Sequence, residues 1–337
     1  MAVYTQLGAE ELATIIARFD VGTLVSAKGI AEGVSNSNWL IETREADGAA
    51  QRFILTMYES RTDTADLPFF LGLLDHLAES GCPVPRTIHD RENRAFHVHK
   101  GKALALIEFL PGVSVSEPTP AQARAVGHAL AQVHEAARDF AGHRDNTMGL
   151  AAWKALLADC GAEGLAGIDP RLPHLVNREL ALLERNWPSH LPLSVIHADL
   201  FPDNVLMLDD RVTGLIDFYF ACTAITAFDV AVTHAAWCFS TDGARFDAAI
   251  SAALLAGYEE VRPLLVEERT ALPLLARGAA LRFLATRAYD WLHTPEDALV
   301  TRKDPMAFAR RLEFYADPAN AGIFAQASNP ENTVEQN

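Results

Sequence analysis

The sequence predicts an α+β chain of two lobes, a small antiparallel-sheet N-lobe followed by a larger, mainly helical C-lobe. Three observations carry that prediction. Short apolar runs of strand length, separated by polar turns, fill the first 110 residues. The joint Leu110-Pro111-Gly112 then breaks the pattern, and beyond it apolar residues recur at helical spacing.

The elements follow in order. Leu12, Ile15, Ile16 and Phe19 mark a first helix, and Gly22 stops it. Leu24–Ile30, Trp39–Thr43 and Phe53–Tyr58 read as strands, with GIAEGVSNSN between the first two and the polar stretch 45–50 between the second pair. Asp66–Ser80 is a helix with Leu67, Phe70, Leu71, Leu74 and Leu77 on one face, ended by Gly81 and Pro83. Phe96–His99 and Ala103–Phe109 are two more strands. The C-lobe helices are expected at Thr119–Ala137, Pro173–Asn186, Ala224–Phe239, Phe246–Tyr258 and Leu272–Trp291. Thr119 with Gln122 makes a capping box, and Pro120 suits the first helical position. The strand signals left in this half are Val195–Ile196, Val205–Leu208 and Val212–Ile216.

Composition narrows the function. The chain has 337 residues, half of them apolar, which suits two lobes with a sizeable core. Its formal net charge of −16 argues against a sequence-independent grip on nucleic acid. Cys82, Cys160, Cys222 and Cys238 form no CxxC pair, so neither a disulfide framework nor a zinc site is expected. The N-terminus lacks a signal-peptide core, and no run approaches the ~18 apolar residues a membrane helix needs. The expectation is a cytoplasmic protein with no membrane partner; oligomeric state is not legible.

The chemistry lies in SVIHADLFPDNVLMLDDRVTGLIDFYF, residues 194–220. Phosphoryl transfer to an alcohol needs a carboxylate beside the attacking hydroxyl and oxygen ligands that hold magnesium across the phosphates. Asp199 and Asn204 have the D-x-x-x-x-N spacing of a kinase catalytic loop. Asp217 ends an apolar strand and opens Asp-Phe-Tyr, where protein kinases carry Asp-Phe-Gly. Each piece alone is common, since H-x-D often belongs to a capped loop and a strand-ending Asp to a turn. Together, in order and after a strand-rich lobe, they point to a kinase of a small hydroxyl compound.

These segments resemble the aminoglycoside phosphotransferase-like kinases, and among them the homoserine kinases of that fold. MAVYTQL, KGIAEGVSNSNWLIET, FILTMYE, DLPFFLGLLDHLAESGCPVP, HADLFPDNVL, GLIDFYFAC and RGAALRFLATRAYDW all carry the resemblance. It implies a protein-kinase-like fold, with residues 1–110 as a nucleotide-binding N-lobe ending in the hinge. Residues 111–317 would form the C-lobe with catalytic loop and acceptor site, and 318–337 a flexible tail. ATP would be the phosphoryl donor and homoserine the acceptor, giving O-phosphohomoserine, the precursor of threonine. Asp199 would be the catalytic base, and Asn204 and Asp217 the Mg2+ ligands. Gly29, Gly33, Ser35 and Asn36 would cover the phosphates, and the backbone of Glu108, Phe109 and Leu110 would meet adenine. His197 is expected to shape the loop, and Asp229 to cap its helix or brace that loop.

One departure stands out. Where most kinases of this fold place a lysine on the third strand, FILTMYE has Thr56, as the homoserine kinase branch does. Lys28 and Arg61 are candidate substitutes, and Asp66, Asp75 and Glu79 are the acids on the following helix. The acceptor's carboxylate calls for a cation with fork geometry. Of Arg277, Arg282 and Arg287, Arg282 is the expected anchor; Asp203, Tyr219 and Trp237 are further candidates for the pocket. Choline, a sugar, methylthioribose or an aminoglycoside are alternative acceptors, and a nucleotide-binding pseudokinase is the alternative of another class. A metal hydrolase on His197 and Asp199 ranks last, since it lacks the further histidines such sites use.

Overall fold

The structure is a computed structural model that describes residues 7–30, 36–59, 63–294 and 302–325. Its N-terminal part is an antiparallel sheet of order β1-β2-β3-β6-β4, with β5 also pairing β6. The strands are β1 (Thr23–Ile30), β2 (Asn36–Arg44), β3 (Ala50–Tyr58), β4 (Thr87–Ile88), β5 (His97–His99) and β6 (Lys102–Glu108). Strand β6 explains why ALALI reads as one apolar run. Its residues alternate between faces, and both faces are covered. Leu104 and Leu106 meet Leu12, Ile15, Ile16 and Phe19 from helix α1 (Ala9–Ile16) and the turn after it. Ala103, Ala105 and Ile107 face the other way, into the core that helix α2 (Leu67–Glu79) shares with the C-terminal half.

The C-terminal part holds helices α3 (Pro120–Ala136), α4 (Leu150–Ile168), α5 (Leu172–Asn186), α6 (Thr226–Trp237), α7 (Ala248–Glu259), α8 (Val266–His293) and α9 (Met306–Ala316). The Thr119–Gln122 capping box forms as expected, Thr119 Oγ1 accepting the Gln122 amide at 3.2 Å. Strand β7 (Leu193–Ile196) pairs with β10 (Cys222–Ile225), and β8 (Val205–Leu208) with β9 (Arg211–Leu215). All twelve residues of α6 are buried, so it is the axis around which this half packs.

The structure departs from the sequence reading at several places. Helix α4 was not expected, because Gly161, Gly164 and Gly167 interrupt its apolar pattern; at Gly161 (φ +65°) it kinks. Helix α9 was also not expected. Ala224, expected to begin a helix, belongs to β10, since Cys222–Ile225 is drawn into pairing with β7. The stretch expected to open a flexible tail instead forms a 3-10 helix, Pro318–Phe324. Phe324 is 2% exposed, its ring 4.7 Å from that of His234, and Arg269 holds its carbonyl at 2.9 Å. Apolar burial of that ring is the reason this stretch is fixed.

Helices α3 and α7 touch backbone to backbone through a reciprocal pair of glycines. A Cβ on Gly127 would lie 2.0 Å from the Leu254 carbonyl oxygen, and one on Gly257 would lie 2.0 Å from that of Arg124. Either helix would have to move to admit a methyl group. Gly127→Ala or Gly257→Ala is therefore expected to lower stability by roughly 2–3 kcal/mol in urea unfolding, as overpacking does. Gly72→Ala on α2, where a Cβ meets nothing within 4 Å, is expected to raise it by about 0.5–1 kcal/mol. Equal effects at the three sites would refute the close crossing.

Candidate active site

The site is anchored from beneath by Asp229, in the first turn of α6 and fully buried. Its Oδ2 accepts the backbone N–H of His197 and its Oδ1 that of Ala198, both at 2.7 Å. His134 of α3 meets Oδ2 through Nε2 at 3.0 Å. Burial alone would raise the carboxyl's pKa; the bonds from His134 and the His197 amide outweigh it and hold the group below its usual value. The expected brace role of Asp229 is thus what the hydrogen bonds describe.

The loop that Asp229 holds is strained. Ala198 lies at φ +65°, a left-handed conformation that costs a residue with a Cβ roughly 1–2 kcal/mol. Arg282 donates to the Ala198 carbonyl, and Trp237 Nε1 to that of Leu200 at 3.0 Å. Asp229 at the amides, with Arg282 and Trp237 at the carbonyls, grips the loop from both sides.

His197 joins this loop to the next part of the site. Its Nδ1 accepts the Asp199 amide at 3.2 Å, so Nε2 carries the proton and donates to the Ile216 carbonyl at 2.9 Å. The ring lies 4.4 Å from that of Phe218. Burial pushes its pKa down, in keeping with the neutral form. His197 therefore ties the residues flanking Asp217 to the Asp199 loop and is occupied on both nitrogens.

Asn204 completes the arrangement. Its Nδ2 donates to the Asp199 carbonyl at 2.8 Å and approaches Asp199 Oδ2 at 3.4 Å, while its own carbonyl accepts the Ile216 amide at 3.0 Å. Asp217 sits at φ +67° immediately before the turn Phe218–Phe220, its side chain making no capping bond to it. Asp199, Asn204 and Asp217 are thus brought together. Burial first, then the charges of Asp217 and Asp203, push the Asp199 carboxyl up to about 7 against the pull of Arg282. Burial and Asp203 push Asp217 up to about 6, although its side chain stays open to solvent.

The donor set fits magnesium. Among the described residues no three His, Cys, Asp or Glu side chains are close enough to hold a metal by themselves. One carboxylate from Asp217 and one amide oxygen from Asn204 make a partial, all-oxygen set. Magnesium takes such sets, drawing its other ligands from phosphate and water.

The other sequence candidates fall as follows. Gly29 lies on β1 opposite Trp39. Asn36 is buried at the start of β2, its Oδ1 accepting the Glu59 amide at 3.4 Å. Gly33, Ser35 and Arg61 lie outside the described residues. Glu108, Phe109 and Leu110 run along the edge where the sheet ends, over the β8–β9 hairpin; a Cβ on Gly214 would meet Leu110 at 2.7 Å. Val113 and Met207 exchange backbone hydrogen bonds of 3.0 Å, which fastens the joint to that hairpin. Gly112, at φ +148°, lies so close that a Cβ would sit 2.5 Å from Thr213 Oγ1.

Thr56 is buried on β3 and donates to Asn38 Oδ1 at 2.9 Å. The acids of α2 look elsewhere: Asp66 pairs with Arg144 at 2.7 Å and Asp75 with His89 at 2.7 Å. Lys28 is an exposed residue of β1. Trp237 is a loop brace, and Tyr219 meets Tyr58 across the two halves at 3.3 Å between hydroxyls. Arg282 is 2% exposed and donates to the Ala198 carbonyl, its Nε buried without a partner among the described residues; that burial is the geometry of a brace behind the loop rather than of an anchor facing a ligand. Sequence reasoning missed His134, whose burial beneath the loop has no local signal in an alanine-rich helix. A cavity of about 720 Å³ between Arg171, His174, Arg178, Arg277 and Asp317 contains none of the residues expected to react.

A loop pinned from below that presents one carboxylate, with an amide and a second carboxylate beside it under an antiparallel sheet, defines a phosphotransferase of the kinase kind. The chain matches the model of the phosphotransferase enzyme family over residues 26–264. It is 49% identical to a homoserine kinase of Azorhizobium caulinodans, over 97% of this chain and 100% of that one. The chain belongs to the phosphotransferase enzyme family and, within it, to the homoserine kinases. Among solved structures it is similar in fold to an amicoumacin kinase in complex with AMP-PNP, Ca2+ and its antibiotic. That match has a TM-score of 0.66 and 14% identity, over 92% of this chain and 94% of that one. A spectinomycin phosphotransferase in complex with ADP and spectinomycin gives a TM-score of 0.67 and 15% identity, over 95% and 98%.

The raised carboxyls make stability depend on pH. The folded chain keeps the Asp199 proton to about pH 7, whereas the unfolded chain releases it near 3.8. Between those values the native state binds more protons, so stability falls as pH rises. Asp199→Asn removes that contribution. Without metal or nucleotide, its Tm is expected to exceed that of the unaltered chain by ~1–3 °C at pH 8, the excess vanishing near pH 4. A Tm difference that does not change with pH would contradict the assignment.

Proposed function

We propose that the chain transfers the γ-phosphate of ATP to the side-chain hydroxyl of L-homoserine, giving O-phospho-L-homoserine and ADP. What carries the reading is 49% identity, over 97% of the chain, to a homoserine kinase. The placing of Asp199 and Asn204 on one braced loop, to which Ile216 ties the Asp217 turn after β9, supports it. The nucleotides bound to the amicoumacin and spectinomycin enzymes support a nucleotide donor.

Asp199 is the base. It orients the acceptor hydroxyl and takes its proton as the new O–P bond forms and the bond to the β-phosphate oxygen breaks. A carboxyl held near 7 suits that task, because it is both ionised and basic near neutrality. Bound magnesium, on Asn204 and Asp217, would offset charge on the phosphates. The backbone of Glu108, Phe109 and Leu110 would receive adenine, and Gly29, Gly33, Ser35 and Asn36 would cover the phosphates. With Thr56 in place of a lysine, those functions fall on the loop amides and the metal. Positioning and electrostatics supply most of the rate, since there is little covalent chemistry for the protein to perform.

The test is ATP consumption with homoserine, choline and several sugars, the product identified by mass. Homoserine is expected to lead the others by at least ~10²-fold in kcat/KM. Asp199→Asn should lose at least ~10²-fold in kcat with little change in the KM for ATP. Asp217→Ala should raise the magnesium needed for half-maximal rate at least tenfold, about 1.4 kcal/mol of lost binding. Equal or better turnover of a sugar or choline would overturn the acceptor, and near-normal turnover by Asp199→Asn would overturn the base.

A further inference from the structure

We propose that Arg287, with Lys303 beside it, binds the carboxylate of the acceptor and so aims its hydroxyl at Asp199. The proposal rests on the reading of that acceptor as an amino acid.

Of the four arginines on helix α8, Arg269 is taken by Phe324 and Glu259, and the three that follow, Arg277, Arg282 and Arg287, begin alike in sequence and end differently. Arg277 is committed to the buried carboxylate of Glu179, with contacts of 2.8 and 2.7 Å. Arg282 donates to the Ala198 carbonyl and is 2% exposed behind the loop, so its remaining donors, the unpartnered Nε among them, are closed off. Arg287 is half-buried, its guanidinium 4.5 Å from the Phe308 ring, and its hydrogen bond is one of 3.3 Å to the backbone carbonyl of Asp304. Among the described residues it forms no salt bridge. A planar fork of five donors has most of its capacity left for a ligand.

The surroundings make that capacity specific for an anion. Arg311 lies 4.3 Å from the same Phe308 ring and, among the described residues, bonds only to carbonyls, those of Ser240 at 3.0 Å and Ala307 at 3.4 Å. Lys303 lies 5.9 Å from the Phe201 ring and 3.6 Å from Asp203 Oδ2. With Arg282 4.8 Å from the Phe283 ring, four cations lie against the cluster of Phe201, Phe283 and Phe308, and of them Lys303 has a carboxylate partner, Asp203. Arg287 and Arg311, which meet backbone carbonyls and the Phe308 ring, are two like charges in a partly dry place, an arrangement that an entering anion relieves. A carboxylate matches the guanidinium fork, with two parallel hydrogen bonds.

This cationic group lies on the reacting side of the molecule. Arg287 feels the charges of Asp304, Asp203 and Asp199, and Asp199 in turn feels Asp203 and Lys303. Asp203 immediately precedes Asn204 and its side chain is 65% exposed. It is placed to receive the acceptor's ammonium while Arg287 holds the carboxylate. An amino acid bridging the two would present its remaining arm, the hydroxyl, toward Asp199.

The experiment compares homoserine with 3-aminopropan-1-ol, which is homoserine without the carboxylate. For Arg287→Gln, which keeps the side-chain stem, kcat/KM with homoserine should fall ~30- to 100-fold, chiefly through KM, with the KM for ATP unchanged. With 3-aminopropan-1-ol the same substitution should change kcat/KM by less than threefold. Lys303→Ala, an exposed change that leaves the core intact, should raise the homoserine KM ~3- to 10-fold. A homoserine KM within threefold of normal in both variants would overturn the proposal, as would an equal loss with both acceptors. Failure of the unaltered chain to phosphorylate homoserine at all would remove the acceptor reading and this proposal together.

Discussion

Everything at the reacting end depends on one buried carboxylate. Asp229 accepts the amides of His197 and Ala198 and meets His134, and so converts a strained turn into a fixed one. The left-handed backbone at Ala198 would relax if those acceptors were lost. Each oxygen bond is to a charged group in a dry place, the setting where hydrogen bonds are strongest and their loss most costly. From that point rigidity passes outward. His197 carries it to Ile216 and Phe218, and Asn204 carries it to Asp199 and again to Ile216. Two carboxylates that repel each other are held close only because their backbone is held from elsewhere.

The same logic explains the support layers behind the loop. Arg282 and Trp237 take the carbonyls that the turn leaves behind, and α6, buried on every side, supplies the platform. Below it His134 passes the network on to the Tyr258 hydroxyl at 2.8 Å, and Arg262 meets that hydroxyl at 3.1 Å. The buried polar groups on α6 are satisfied in the same manner; His234 lies between Tyr315 and Ser251, and burial drives its pKa down to about 3. Such a core exchanges some stability for a single fixed geometry at the site.

Much of this was legible in the sequence because its signals were local. The alternation in β1 to β3, the Leu face of α2, the capping box at Thr119 and the spacing of Asp199, Asn204 and Asp217 all need only a short window of chain. The sequence reading also expected Asp229 to cap or brace, and it does brace. What could not be read was set by distant partners. Helix α4 is hidden by its glycines, and β10 exists only because β7 lies alongside it. The arginines of α8 look equivalent along the chain. For Arg277, Arg282 and Arg287, the partners Glu179, the Ala198 carbonyl and Phe308 decide which is buried as a brace and which stays open to a ligand, and these come from three other parts of the fold. Arg282 was the natural choice by sequence and is the buried one in space.

The most direct measurement is on Asp229→Asn, which keeps the shape but replaces one acceptor oxygen by a donor. Hydrogen exchange at the His197 and Ala198 amides is followed together with turnover. Loss of protection by at least ~30-fold at those two amides, about 2 kcal/mol, with kcat down ~10²-fold and the rest of α6 still protected, is the result expected. Full protection of those amides and ordinary turnover in a folded Asp229→Asn chain would contradict the claim that this carboxylate holds the reacting groups in place.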